Sequence, residues 1–196
     1  MFTFDENKAK SADSSAHITE GGYYPNATIK AAVVLKGNEQ SQYIKFEVEQ
    51  EGRDCNFNIY LKKKSDGSVT YGVNKIYALM GILGVQKTSS LPVTVDNFGR
   101  QEQGNSIPEF IGKVVGLRLM REDYRKQDGT IGFSMNLLNF IGNDGKTYSE
   151  RVDNKPAKTI ETAIKDKRLQ APQHGAAAPM IPNQTTPMPT DDDMPF

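Results

Sequence analysis

Tryptophan is absent from this chain, and cysteine and histidine nearly so: among 196 residues there is one Cys, at position 55, and two His, at 17 and 174. A single thiol excludes an intramolecular disulfide and points to a reducing compartment, so a cytoplasmic protein is expected. Both histidines sit in polar, irregular sequence, where a metal ligand or general base would lack rigid support. No Cys/His cluster has zinc spacing, and no GxxxxGK[ST] loop is present to cradle a phosphate. No apolar run approaches the roughly 18 residues that a membrane span needs. The basic-then-apolar order of a secretory signal is missing as well. An excess of one charge is also lacking, since 24 Lys and Arg balance 24 Asp and Glu. Dispersed acids such as Glu47, Glu49 and Asp54 leave room for a nuclease site, but the chain reads as non-catalytic and free of cofactors.

The balance of charge conceals a distribution. The span 21–170 holds 22 basic and 17 acidic residues, a net of +5, while 171–196 has three Asp and neither Lys nor Arg. A modestly cationic body with anionic ends can bind a polyanion while its own tail competes for the groove. From about Ala171 the chain turns to Ala, Pro, Gln, Asn and Thr, which cannot repay their ordering entropy. Four parts follow: an arm over 1–20, a folded domain over 21–170, a disordered linker over 171–190 and a tip over 191–196. As a flexible coil the linker would hold the tip on the order of 25 Å from the body.

The tip, Asp191-Asp192-Asp193-Met194-Pro195-Phe196, sets carboxylates against a terminal apolar plug. A segment with no core of its own gains from an apolar end only through a partner. A mobile tail cannot hold three carboxylates in octahedral geometry, so no magnesium site is expected there. The tip resembles the acidic end of single-stranded DNA-binding proteins of bacteria and phages, with Met194 in the apolar slot. The body is similar to small phage proteins that open with Gly-Tyr-Tyr, here Gly22-Tyr23-Tyr24. The resemblance implies the cytoplasm of a bacterium or phage-infected host. It also implies that Phe196 docks in an apolar pocket of replication, recombination or repair proteins.

Within the body, Gly37-Asn38, Glu51-Gly52, Asp66-Gly67, Asp128-Gly129 and Asp144-Gly145 mark turns. Strands are expected over 28–36, 42–50, 55–64, 113–122, 130–141 and 146–152. Alternation sets Ile44, Phe46 and Val48 against Tyr43, Lys45, Glu47 and Glu49, and Phe57, Ile59 and Leu61 against Asn58, Tyr60, Lys62 and Lys64. Ile76, Leu79, Met80 and Leu83 have helical spacing, with Asn74 as N-cap and Gly84 as stop. A long polar loop is expected over 86–110, and an amphipathic helix over 157–169. Three strands, a helix and two further strands is the order of an OB-fold, so the expected fold is mainly β: a five-stranded OB-like barrel with a helix between strands three and four, a C-terminal helix and a disordered tail.

Single-strand binders combine basic grooves with aromatic platforms, because every base has a π face and every nucleotide a phosphate. Tyr43, Lys45, Tyr60, Lys62 and Lys64 interleave these groups on the solvent side of strands two and three. Arg118, Arg121, Tyr124 and Arg125, with Lys126, form a second cluster leading into the Asp128-Gly129 turn. Lys30 and Lys36 on the first strand are weaker candidates. Phe133, Met135, Leu137 and Phe140 are expected in the core. Single-stranded DNA is therefore the expected partner, with a homo-oligomer compatible with the sequence. The competing expectation is a β-rich assembly module whose tip docks a protein without DNA.

Overall fold

The computed structural model describes residues 17–97 and 99–169. The linker and the tip, Asp191–Phe196 included, lie outside the described residues, as do residues 1–16 of the arm. One long strand organises the rest. β1 (Gly22–Lys36) pairs antiparallel with β2 (Gln42–Gln50) along one edge. Its other edge is shared: the first half pairs with β6 (Val114–Arg125), and Val33 and Val34 pair with β5 (Arg100–Ser106). Irregularities at Tyr24/Ala27 and Ile29/Ala31 bend β1 between these partners, and Asn26 there has φ 57°. β3 (Arg53–Lys62) pairs with β2, β4 (Leu91–Asn97) with β5, and β7 (Ile131–Ile141) with β6. The result is an open, antiparallel, seven-stranded sheet. β3 and β7 run close to each other, but no ladder joins them among the described residues.

Alternation places the core as expected. Ile44, Phe46, Val48, Phe57 and Ile59 are buried, with Val115, Leu117, Met135, Leu137 and Phe140 facing them. Phe46 is the hub, its ring centroid 5.3 Å from Phe57 and 5.8 Å from Phe140. Cys55 is buried among them, and burial pushes its thiol up to about 12. At Glu51-Gly52 both φ angles are positive, 52° and 77°, as a two-residue hairpin turn of the primed type requires. Ile18 is also buried, its N–H donating to the Asp54 carbonyl, so the core extends into residues assigned to the arm.

Helix α1 (Gly72–Leu83) lies between β3 and β4 and ends on Gly84 in the left-handed region, as the spacing predicts. Its N-cap is Tyr71, without a side-chain cap, rather than Asn74. Three other expectations are corrected. The expected loop over 86–110 contains the β4–β5 hairpin, whose strands alternate exposed and half-buried residues without a buried one among those described. The expected strand over 146–152 is helix α2 (Tyr148–Val152). Thr147 and Glu150 form a reciprocal capping box there, a short-range signal that outweighs alternation. Burial pushes the Glu150 carboxyl up, but bonds from the Thr147 N–H, from the Thr159 hydroxyl and N–H, and from the Thr147 hydroxyl hold it down at about 2. The expected helix over 157–169 is one 3-10 turn (Thr159–Glu161) followed by extended chain. That chain binds the edge of β6: the Lys167 N–H donates to the Arg121 carbonyl, and the Asp123 N–H to the Lys167 carbonyl. Tertiary pairing takes the backbone groups that a helix would have used internally.

Candidate nucleic-acid interface

The outward face of β2 and β3 follows directly from the pleat. With Phe57 and Ile59 inward, Asn56, Asn58, Tyr60 and Lys62 point outward. Register sets Tyr43 opposite Tyr60, and their rings meet at 5.5 Å and 45°. Thr70 fixes the backbone beside them, its N–H donating to the Leu61 carbonyl and its hydroxyl to the Tyr60 carbonyl. The pair opens onto a hollow of about 590 Å³ that also takes Lys36, Lys62, Lys63, Lys64 and Glu102 in its wall. Four lysines against one carboxylate make this hollow cationic. Sequence reasoning singled out Tyr43, Tyr60, Lys62 and Lys64, and the fold brings them together. Lys63 joins them because β3 ends at Lys62, whereas alternation continued through an expected strand over 55–64 sets Lys63 on the opposite face.

A second hollow, about 480 Å³, runs between β3 and β7 and shares Asn58 and Tyr60 with the first. Lys45, Asn56, Tyr124, Phe133 and Asn136 line it, with His17 and Asp54 at one side. Tyr124 lies across the facing strand, where a Cβ on Gly132 would come 2.8 Å from its ring. Phe133 is 39% exposed, so it is a wall of the groove and not part of the core. The Arg121 guanidinium sits 4.3 Å from its ring centroid. Phe133 was assigned inward because it alternates with Met135 and Leu137, which are buried. The cover at Phe133 is the Arg121 guanidinium from the neighbouring strand, a contact that alternation cannot register.

The remaining basic candidates have protein partners. Arg118 is buried, and its guanidinium donates to the Asn139 side chain at 3.2 Å and the Thr162 carbonyl at 2.7 Å, leaving Nε without a partner among the described residues. It ties the C-terminal chain to β6 and does not reach the exposed face. Arg121 Nε donates to Asp123 at 2.6 Å and Nη1 to the Thr19 carbonyl. The Arg121 guanidinium in turn holds the Asp123 carboxyl below its usual range. Arg125 binds the Gly129 carbonyl inside its own hairpin. Lys30 pairs with Glu49 at 2.7 Å, away from both hollows, and that bond raises its pKa. Lys45 pairs with Glu47 at 3.1 Å and Lys64 with Glu39 at 3.3 Å. A phosphate would replace Glu39 at little cost, since exposed pairs contribute roughly 0–1 kcal/mol, whereas the Lys45 side chain is largely covered.

Among the described residues no group of three His, Cys, Asp or Glu side chains could hold a metal ion, and no helix is long and apolar enough to cross a membrane. Glu47, Glu49 and Asp54 stand along β2 and β3, and Glu47 and Glu49 are each engaged by a lysine. The interface is therefore a cationic hollow and an amide-lined groove, joined at Tyr60 and bordered by exposed rings. No protein-family model, no curated protein and no solved structure matches this chain.

Proposed function

We propose that this is a non-catalytic single-stranded DNA-binding protein that coats single strands with little sequence preference in replication, recombination or repair. One observation carries the reading: Tyr43, Tyr60, Tyr124 and Phe133 line two communicating hollows whose walls also carry five lysines and the side-chain amides of Asn56, Asn58 and Asn136, against the carboxylates of Glu102 and Asp54. Rings take up bases of any kind, and lysines take up phosphates with release of counterions. Asn56, Asn58 and Asn136 can exchange hydrogen bonds with base edges without fixing a sequence.

In this reading β1, β2, β3, β6 and β7 form an OB-like barrel with α1 between its third and fourth strands. The close approach of β3 and β7 supports it, and the β4–β5 hairpin becomes an insertion. The acidic tip recruits replication or repair proteins through Phe196 and returns to the lysines when DNA is absent, since like charges keep tail and DNA from sharing one groove.

Tyrosine fluorescence titrated with poly-dT tests the reading. Quenching at low salt that reverses as salt rises supports it, and fluorescence unmoved by poly-dT at low ionic strength overturns it. Replacing Tyr60 and Lys62 with Ala should weaken binding by about 1–3 kcal/mol. Full affinity in that variant would remove the first hollow from the site.

A further inference from the structure

The two hollows do not end at Tyr60. A third, of about 280 Å³, takes Tyr60, Asn58 and Asn136 from them and adds Tyr71 and Lys75 at the start of α1. A fourth, of about 250 Å³, shares Tyr71 and Lys75 with the third and reaches Tyr148 on α2. Successive depressions with common walls make one furrow, which leaves the sheet and climbs over the first turn of the helix. Its rings stay open to solvent: Tyr71 is 75% exposed and Tyr148 40%. Tyr148 is also fixed in place, because it lies on α1 at Gly81, where even a Cβ would come within 2.2 Å of the ring. Lys75 stands at the joint, its ammonium donating to the Leu137 carbonyl at 2.5 Å. Asn74, Asn139, Thr147, Ser149 and Thr159 supply uncharged polar groups to the far walls, beside the apolar Ala78, Leu138 and Phe140.

Packing on α1 accounts for one side of the Tyr148 ring, but its open side and the Tyr71 ring leave apolar area in water along the furrow. A chain of stacked bases would cover that area. We propose that Tyr71 and Tyr148 are a second stacking track for single-stranded nucleic acid, joined to the first at Tyr60, with Lys75 facing the phosphate between them. The inference rests on the single-strand reading and extends its footprint from the sheet onto the helical side. A short oligonucleotide is satisfied by the hollows on the sheet, and only a longer one reaches Tyr148.

The test compares dT oligonucleotides of about 6 and about 20 nucleotides, one near the lower end of the usual footprint of about 4–16 and one beyond it, on the full chain and on Tyr71→Ala. The Tyr71 side chain is three-quarters exposed and makes no cap bond to α1, whose Asn74 N–H donates to the Tyr71 carbonyl, so alanine there should leave folding intact. Affinity for the long oligonucleotide should fall about ten-fold, and affinity for the short one less than two-fold. Tyr148→Ala should repeat the pattern. Tyr77→Ala, an exposed tyrosine of α1 that lines none of the four hollows, should change neither. An equal loss at both lengths, or none at either, with the unmodified protein still binding both, would overturn the second track and leave the first standing. If the unmodified protein binds neither length, the single-strand reading fails and the track fails with it.

Discussion

The hairpins β2–β3 and β4–β5 flank the same central strand, yet one is half core and the other nearly all surface. In β2–β3 every inward position from Ile44 to Val48 and from Cys55 to Ile59 is buried, and the outward positions carry rings, amides, lysines and the carboxylates of Glu47, Glu49 and Asp54. In β4–β5 Val93 and Val95 are only half-buried, and β5 reads Arg-Gln-Glu-Gln-Gly-Asn-Ser. The first hairpin is stabilised by what lies beneath it. The second is held by its own ladder and a short pairing of β5 with β1. Burial on one face is what frees the opposite face to carry binding groups at fixed spacing. A hairpin without a buried face can position less.

The largest test of that contrast is Phe46→Ala. Phe46 touches three other phenylalanines and is fully buried, so its removal should cost about 3–5 kcal/mol in urea unfolding. A loss near that of a surface substitution would show that the core is not organised around this ring. Gly104→Ala probes the other hairpin at its one tight contact. A Cβ there would come 2.7 Å from Leu35 and Val33, so the substitution should cost about 1–3 kcal/mol or lift β5 off β1. If hydrogen exchange in β4 and β5 is unchanged and stability falls fully, the two hairpins are one cooperative unit and the contrast is false.

The same contrast explains what could be read from the chain. The strands expected over 42–50 and 55–64 are legible because burial imposes period two on residue type, although the second runs two residues earlier, from Arg53 to Lys62. The start of β1 at Gly22 is not legible, since Pro25-Asn26 breaks the alternation where the strand changes partner. β4 does alternate at Leu91, Val93 and Val95, but Pro92 and the polar, glycine-bearing run of β5 that pairs with it read as loop. The segment over 157–169 has a genuine helical stripe at Ile160, Ala163 and Ile164, yet Asp166 binds the N–H groups of Gly21 and Arg121 and draws the chain out along β6. Of the candidate site, Tyr43, Tyr60, Lys62 and Lys64 were legible as one face of a strand pair. Arg118 sits on the buried side of a strand whose sequence gives no warning, because its partners Asn139 and Thr162 are distant in the chain.

A smaller effect separates the two turns. Gly52 and Gly99 both hold a positive φ, 77° and 78°, and neither has an atom where a Cβ would go. Any penalty for alanine is then purely conformational, roughly 1 kcal/mol at the turn itself. Gly52→Ala should show that cost in global unfolding, because β2–β3 cannot open without exposing the core. Gly99→Ala should show less, because the tip of β4–β5 can fray without exposing buried side chains. Equal losses in global stability would erase the distinction.

The smallest effect links the two hairpins through function. Among the described residues Glu102 on β5 is the one carboxylate in the wall of the cationic hollow, which it shares with Lys36, Lys62, Lys63 and Lys64. A phosphate entering that hollow meets its negative charge across solvent, where repulsion between unit charges is below about 1 kcal/mol at separations beyond 4 Å. Glu102→Gln keeps the shape and removes the charge, so affinity for oligo-dT should rise about two-fold at low salt. The gain should vanish near 1 M salt, where the screening length falls to about 3 Å. If affinity rises equally at both salt concentrations, the carboxylate acts through contact and not through its field. If it falls, β5 contributes a hydrogen bond to the strand, and the polar hairpin belongs to the binding surface as fully as β2 and β3 do.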